Sequence, residues 1–407
     1  MSELQGWIEA LGRIGATGEG GVFRASYTPE ELEAQRLIGI WMEEAGLRVS
    51  RDAAGNLWGR ADGTLPDAAP IVVGSHIDSV KNGGKYDGLF GVLGGLMAVR
   101  ETLKRHGQPR LPMEVVAFTG EEGSRFPIGL MGSKMVTGTL ERRILDQVVD
   151  ERGESVAEAM RGVGLDPDRI GDARRRDIEA YLEMHIEQGP FLEDAGIPLG
   201  VVEAIVGVQR VDVTVQGRAD HAGTTPMRLR KDALLGAARM ISRLPELAMA
   251  SGSGVMTVGR IAAYPGSANV VPERVEFTMD IRHSNEDVKQ QVVRRAREMC
   301  EEVGAELGLG VTWKPPVDGH TPVVLPVRLR DLLRDCCRQE GIGYMDMPSG
   351  AGHDAQIMAG ICPTGMLFIP CKGGRSHTPE ELATPEAMDA GVRVLSRCLL
   401  RLAYEAS

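Results

Sequence analysis

Three apolar runs in this chain each end at a residue able to bind a metal, and no other feature constrains the fold as tightly. Residues 71–75 run into His76, residues 113–119 run into Glu121, and residues 180–184 run into His185. Short apolar runs of this kind read as buried strands. Each then breaks into a glycine-containing loop. Open α/β sheets place their sites outside the carboxyl ends of strands. The runs therefore predict a single site on one sheet edge. His76, Asp78, Asp87, the pair Glu121-Glu122, His185 and His377 are its candidates. Together they predict a two-metal hydrolase.

The rest of the chain fits an α/β protein with an insertion. Thr28-Pro29-Glu30-Glu31 predicts a helix start, with Thr28 as cap, Pro29 in the first turn and Glu31 closing a capping box. That helix is expected to stop at Gly46. A strand pair near Val49 and Leu57 and a helix after Gly88 follow. Near residue 210 the period changes. Val211, Val213 and Val215 alternate with polar residues, as in a half-buried strand. A helix over 232–250, strands over 255–262 and 274–282, a helix over 286–307 and a strand over 310–314 give the split βαβ order. A strand over 366–369 and a helix from Pro385 return to the first pattern. The expected domains are 1–208 and 323–407, forming one discontinuous catalytic domain on a mixed sheet, and an inserted α+β domain over 209–322.

Composition narrows the function. A formal net charge of −11 argues against nucleic acid and anionic membranes as partners. No apolar run is long enough to span a bilayer. The start, Met-Ser-Glu-Leu-Gln-Gly-Trp, lacks a secretory pattern. The six cysteines include no Cys-x-x-Cys, so a reducing cytoplasm is expected. Gly-x-Ser-x-Gly is absent, and Gly91, Gly94 and Gly95 lack the spacing of a dinucleotide fingerprint. Close helix–strand packing accounts for those glycines better.

Imidazole nitrogen and carboxylate oxygen together suit zinc, manganese, cobalt or nickel. Two ions need a bridging carboxylate, and Asp87 sits in the turn Gly84-Lys85-Tyr86-Asp87-Gly88. Residues two apart on a strand face the same way, which sets Asp78 to take the second ring N–H of His76. Of Glu121 and Glu122, one can bind metal while the other serves as a general base. Taken singly, each residue has an ordinary reading: a hydrogen-bonded buried histidine, a turn aspartate, a solvated glutamate pair. The convergence on strand ends favours a site.

These segments carry a resemblance. Gly-Ser-His-Ile-Asp-Ser-Val (74–80), Thr-Gly-Glu-Glu-Gly-Ser-Arg-Phe (119–126), His-Ile-Glu-Gln-Gly (185–189), His-Ala-Gly-Thr-Thr-Pro-Met (221–227) and Ser-His-Thr-Pro (376–379) resemble the M20 peptidase-like amidohydrolases. The likeness is to their allantoate amidohydrolase and N-carbamoyl-L-amino-acid hydrolase branch. It implies a two-metal catalytic domain and a lid domain that also forms a homodimer. It implies that Asp87 bridges two divalent ions, that His76, Glu122, His185 and His377 complete the ligands, and that Glu121 is the base. It further implies that His221 reaches the partner subunit's site. Gln188, Asn269, Arg282, Gly350, Ala351 and Gly352 then fall where substrate is held. Plainer readings stand beside these: Arg282 pairing with Asp280 or Glu276, His221 capping the next helix, Asn269 shaping a turn. The substrate implied is allantoate, with an N-carbamoyl-L-amino acid as the close alternative. A binding protein without catalysis on the same scaffold is the reading from another class, and the full ligand set with Glu121 argues against it.

Overall fold

A computed structural model describes residues 2–314 and 319–405. The chain divides into two compact units. One comprises Met1–Glu203, Leu325–Met347 and Ala351–Ser407; the other comprises Ala204–Val324 and Pro348–Gly350.

The first unit is built on a mixed sheet. Its strands lie in the order Arg48–Arg51, Leu57–Ala61, Met113–Phe118, Ile71–His76, Ala180–Ile186, Thr364–Ile369, Leu199–Ile205. The four central strands run parallel to one another, and the outer ones pair antiparallel. Every residue of those four strands is buried. This is why they read as continuous apolar runs rather than alternating ones. Register sets His76 beside Phe118 and His185 beside Phe368, so the parallel strands end together. Helix Leu89–His106 packs on this sheet and Pro385–Ala403 packs against that helix. Gly91 permits the close approach: a β-carbon there would collide with the Met184 carbonyl.

Helix Pro29–Glu44 starts at the Thr28 cap, whose hydroxyl accepts the Glu31 N–H. Its Glu31 carboxylate departs from the expected capping box. It accepts the Tyr27 N–H at 2.6 Å and the Thr119 hydroxyl instead. Glu31 is fully buried, so its oxygens take the donors available inside the protein.

The sheet of the second unit lays antiparallel strands in the order Gly310–Trp313, Gly207–Gln216, Arg274–His283, Val255–Tyr264, and the short strand Gly319–His320 also pairs with Gly207–Gln216. With helices Ala233–Ala250 and Glu286–Leu307 between them in the chain, this is the split βαβ arrangement. The helices cover one face, made by Val211, Val213, Val215, Val275, Phe277, Met279 and Ile281. Alternation along Arg274–His283 turns Asp280 and Arg282 to the other face. Among the described residues no helix is long and apolar enough to cross a membrane. All six cysteines are free thiols and buried.

Candidate metal centre

At the carboxyl edge of the first unit's sheet, the strand ends and three loops bring the ligand-type residues together. His76 closes its strand and His185 stands one residue before the end of another. Asp87 arrives from the turn before helix Leu89–His106, and Glu121 and Glu122 from the loop after Met113–Phe118. His377 comes from the loop before the last helix. Gly88 makes this convergence possible. It adopts φ +63°, and a β-carbon on it would collide with the His76 imidazole. Gln188 and His377 also hold left-handed backbone, with φ +58° each. Such non-glycine conformations cluster at functional sites.

Two ligand groups share Asp87. One is His76, Asp87 and His185; the other is Asp87, Glu122 and His377. Asp87 Oδ1 lies 3.6 Å from His76 Nε2 and 3.1 Å from His185 Nε2. Asp87 Oδ2 lies 3.1 Å from His377 Nε2, which is 3.5 Å from Glu122 Oε2. Glu121 Oε2 is 3.9 Å from His76 Nε2. Asp87 Oδ1 and Glu122 Oε1 are buried yet make no hydrogen bond of good geometry. Hard oxygen and imidazole nitrogen that converge without satisfying each other fit divalent cations.

The electrostatics agree. Burial pushes the Asp87 carboxyl up, but the His185, His377 and His76 imidazoles beside it outweigh this and hold it well below the usual range. His76 is buried, which lowers its pKa, yet Glu121, Asp87, Asp78 and Glu122 raise it well above the ordinary value. The hydrogen bond to Asp87 is the main cause that lifts half-exposed His377 to about 9. Burial and then Asp87 raise Glu122 to about 7. Glu121 is pushed well up by burial, partly offset by His76. Anionic oxygens and imidazoles compete here for protons that metal ions would replace.

Asp78 departs from the expected geometry. The second ring nitrogen of His76, Nδ1, faces the Asp78 main-chain carbonyl at 3.0 Å, while the carboxylate stands 3.6 Å away. Asp78 Oδ1 instead accepts the Glu121 N–H at 3.0 Å, and Oδ2 accepts the Glu122 N–H at 3.1 Å. The strand stops at His76, so strand alternation no longer governs residue 78. Its carboxylate clamps the loop that carries the Glu pair.

Gln188 also has its neighbours defined. Its Nε2 donates to Asp87 Oδ2 at 2.9 Å. His353, whose role the sequence leaves open, is buried with its ring 4.5 Å from that of His185. Burial first, then the His185 charge, holds it well below the ordinary histidine pKa. Glu183 lies near His185 and His353, but its oxygens already accept Ser75 Oγ, Tyr181 Oη and the Ala355 N–H.

The other candidates lie mostly in the second unit. His221 is exposed, in a two-residue strand paired with Val270–Val271. Its Nδ1 accepts N–H groups of Gly223 and Thr224, shaping a turn rather than capping a helix. In the neutral ring that leaves the proton on Nε2. Asn269 is its neighbour: the Asn269 carbonyl accepts the Ala222 N–H. Arg282 pairs with Asp280, Nε to Oδ1 at 2.7 Å, and donates from Nη1 to the Gly350 carbonyl at 3.0 Å. Gly350 belongs to the second unit, Ala351 and Gly352 to the first.

Sequence reasoning missed Glu381. Both of its oxygens accept main-chain N–H groups at this centre. Its spacing, four residues after His377, was the available signal.

Comparison with known proteins agrees with this geometry. Residues 72–401 match the description "Peptidase family M20/M25/M40". An N-carbamoyl-L-amino acid amidohydrolase of Geobacillus stearothermophilus is 44% identical over 97% of this chain and 96% of its own. An allantoate amidohydrolase of Bacillus subtilis (strain 168) is 38% identical over 99% and 98%. A solved amidase of the hydantoinase/carbamoylase family from Burkholderia multivorans superposes with TM-score 0.92 at 37% identity, covering 99% of this chain and 98% of that one. Matched in sequence and fold over almost its whole length, the chain belongs to peptidase family M20/M25/M40, among relatives named for carbamoyl amino acid and allantoate hydrolysis.

Proposed function

We propose that this protein is a metal-dependent amidohydrolase that cleaves the ureido C–N bond of allantoate, with two divalent ions per subunit. The observation that carries the reading is the pair of ligand groups sharing Asp87, with Glu121 beside them. His76 and His185 would hold one ion and Glu122 and His377 the other, with Asp87 between. Zinc, manganese, cobalt and nickel all suit this donor set. Bound there, the ions would supply Lewis acidity at a carbonyl made unreactive by two donating nitrogens.

The chain's own residues supply the rest. Glu121 takes the proton of the attacking water and returns it to the leaving nitrogen. Asp78 holds Glu121 and Glu122 by their main-chain N–H groups, so the base keeps its aim. The carbamate released breaks down to ammonia and carbon dioxide. His221 presents an Nε2–H donor suited to the tetrahedral oxyanion. Among the described residues, Asp280 and Gly350 take three of the five N–H groups of Arg282, which leaves two for a substrate carboxylate. Asn269, Gln188, Ala351 and Gly352 complete the substrate contacts in this reading.

A homodimer in which His221 serves the partner site belongs to the same proposal. What supports it is the apolar surface of the second unit. Strand Val255–Tyr264 ends its sheet and exposes Val255, Ile261 and Tyr264, and helix Ala233–Ala250 exposes Leu234, Leu235 and Met249. Exposed apolar edges of this kind favour association.

An N-carbamoyl-L-amino acid is the second reading. Val208 stands opposite Arg282 on the neighbouring strand, and its apolar side chain offers no hydrogen bond to a second ureido arm. Ammonia release from allantoate, N-carbamoyl amino acids and dipeptides, with elemental analysis of the active protein, tests the proposal. Turnover of allantoate with two ions per chain is expected. Dipeptide cleavage without ureido cleavage, or activity with no bound ion, would sink it.

A further inference from the structure

Glu381 is 3% exposed and no part of the ligand set, yet it touches both loops that deliver the Asp87 and His377 side chains. Its Oε1 accepts the N–H of Tyr86 at 2.8 Å and of Asp87 at 3.0 Å. Its Oε2 accepts the His377 N–H at 3.3 Å and stands 2.8 Å from Ser376 Oγ. That same hydroxyl lies 2.9 Å from Asp87 Oδ2. One buried carboxylate thus spans two loops nearly three hundred residues apart in the chain. Gly84 packs directly against its carboxyl group, where a β-carbon would collide.

Neither loop has regular structure to hold it. Asp87 precedes its helix, and His377 sits in left-handed backbone. Asp78 does the same for Glu121 and Glu122, taking two consecutive main-chain N–H groups with one carboxylate. The device therefore occurs twice, once for the loop that carries the base and once for the loops that carry the bridging ligand and the outermost histidine.

We propose that Glu381 is a positioning residue that sets the Asp87–Glu122–His377 half of the centre by holding Asp87 and His377 through their main chains. This rests on the reading of those residues as metal ligands. Outer partners of metal ligands typically carry about 10- to 100-fold of metal affinity.

The test is Glu381→Gln, which keeps the shape but turns an NH₂ group toward at least one pair of donors. Purified wild type and variant are stripped with chelator and titrated with Mn²⁺ and with Zn²⁺ by calorimetry. Hydrogen exchange of residues 84–90 and 374–380 is followed in the same metal-free samples. The expected result is one ion weakened about 10- to 100-fold, the other less affected, and faster exchange in both loops at unchanged exchange elsewhere. Ser376→Ala, which leaves the main-chain contacts of Glu381 in place, should weaken the same ion less. It also supplies the readout if Glu381→Gln fails to fold, since an unchanged weaker ion in Ser376→Ala would then count against the role. Both ions binding Glu381→Gln within threefold of wild type, with both loops exchanging at wild-type rates, would overturn the role and leave the metal reading intact. A wild type that binds no divalent ion would overturn the metal reading first, and this role with it.

Discussion

His76 and His185 are 2% and 1% exposed, and carboxylates hold the residues around them by accepting main-chain N–H groups. His221 and Asn269, in the second unit, lie exposed, and Arg282 is only half-buried. The first set offsets its burial with a dense network of opposite charges; in the second, His221 and Asn269 stand open to solvent and Arg282 shares its donors with Asp280 and Gly350. In the proposed reading the first set holds metal, which needs donors fixed within tenths of an ångström, and strand ends under a packed core supply that. Substrate contacts must form and release in each turnover, so rims and turns suit them. Removing a proposed ligand from the first set should therefore abolish the centre, whereas removing a residue from the second should weaken substrate or transition-state binding around an intact centre.

The largest effect tests the shared ligand. Asp87→Ala should lose both ions and all measurable turnover, as read by elemental analysis and ammonia release. A variant that still holds two ions would break the comparison at its centre.

Next comes the base. Glu121→Gln should keep both ions but lower kcat by roughly 10²- to 10⁴-fold, the usual contribution of a positioned acid–base group. A kcat within tenfold of wild type would move that role elsewhere.

Mixed dimers sharpen the division of labour between the units. Glu121→Gln and His221→Ala, each inactive alone, should complement in dimers isolated with one subunit of each. One site carries both lesions and the other neither, so about half the wild-type activity per dimer is expected, by site count, if sites act independently. Mixed dimers as inactive as their parents would mean that His221 acts in its own subunit or that the sites cannot work independently, and the cross-subunit role would lose its support.

Arg282→Lys should act on substrate binding. Lysine cannot reproduce the fork that pairs with both Asp280 oxygens. A rise in KM of about tenfold or more is expected at nearly unchanged metal content. An unaltered KM would return Arg282 to a purely structural pair with Asp280.

The smallest effect concerns stability behind the metal loops. Burial is the main cause that raises the Glu31 carboxyl from the ordinary 4.5 to about 7. The folded protein then holds a proton that the unfolded chain releases between those values. The stabilisation from Glu31 is full below about 4.5 and is lost as pH rises through about 7. Urea unfolding of Glu31→Gln across pH 4.5–7 should show a shallower fall than wild type. Equal slopes would mean that Glu31 stays ionised in the fold.

Much of this was legible in one dimension. A strand buried on both faces cannot alternate, so the runs ending at His76, Glu121 and His185 announce themselves, and the 2.0 period at Val211–Val215 marks the other kind of sheet. Residue chemistry then marks the donors, and the motifs around them point to the family. Position in a loop is another matter. Asp78 lies two residues after His76, which predicts a shared face, but the strand ends first and its carboxylate turns to the Glu121 and Glu122 main chains. Glu381 carries no motif of its own, because what it binds is backbone, and backbone N–H groups are the same at every residue. Glu31 was placed in a capping box, and burial sent it to Tyr27 and Thr119. Sequence by itself determined the two kinds of sheet, the donor types and the family, because periodicity and side-chain chemistry are local. Only the tertiary structure decided which main-chain N–H groups the carboxylates of Asp78, Glu31 and Glu381 accept, because the partners of a buried oxygen are set by whatever the fold packs beside it.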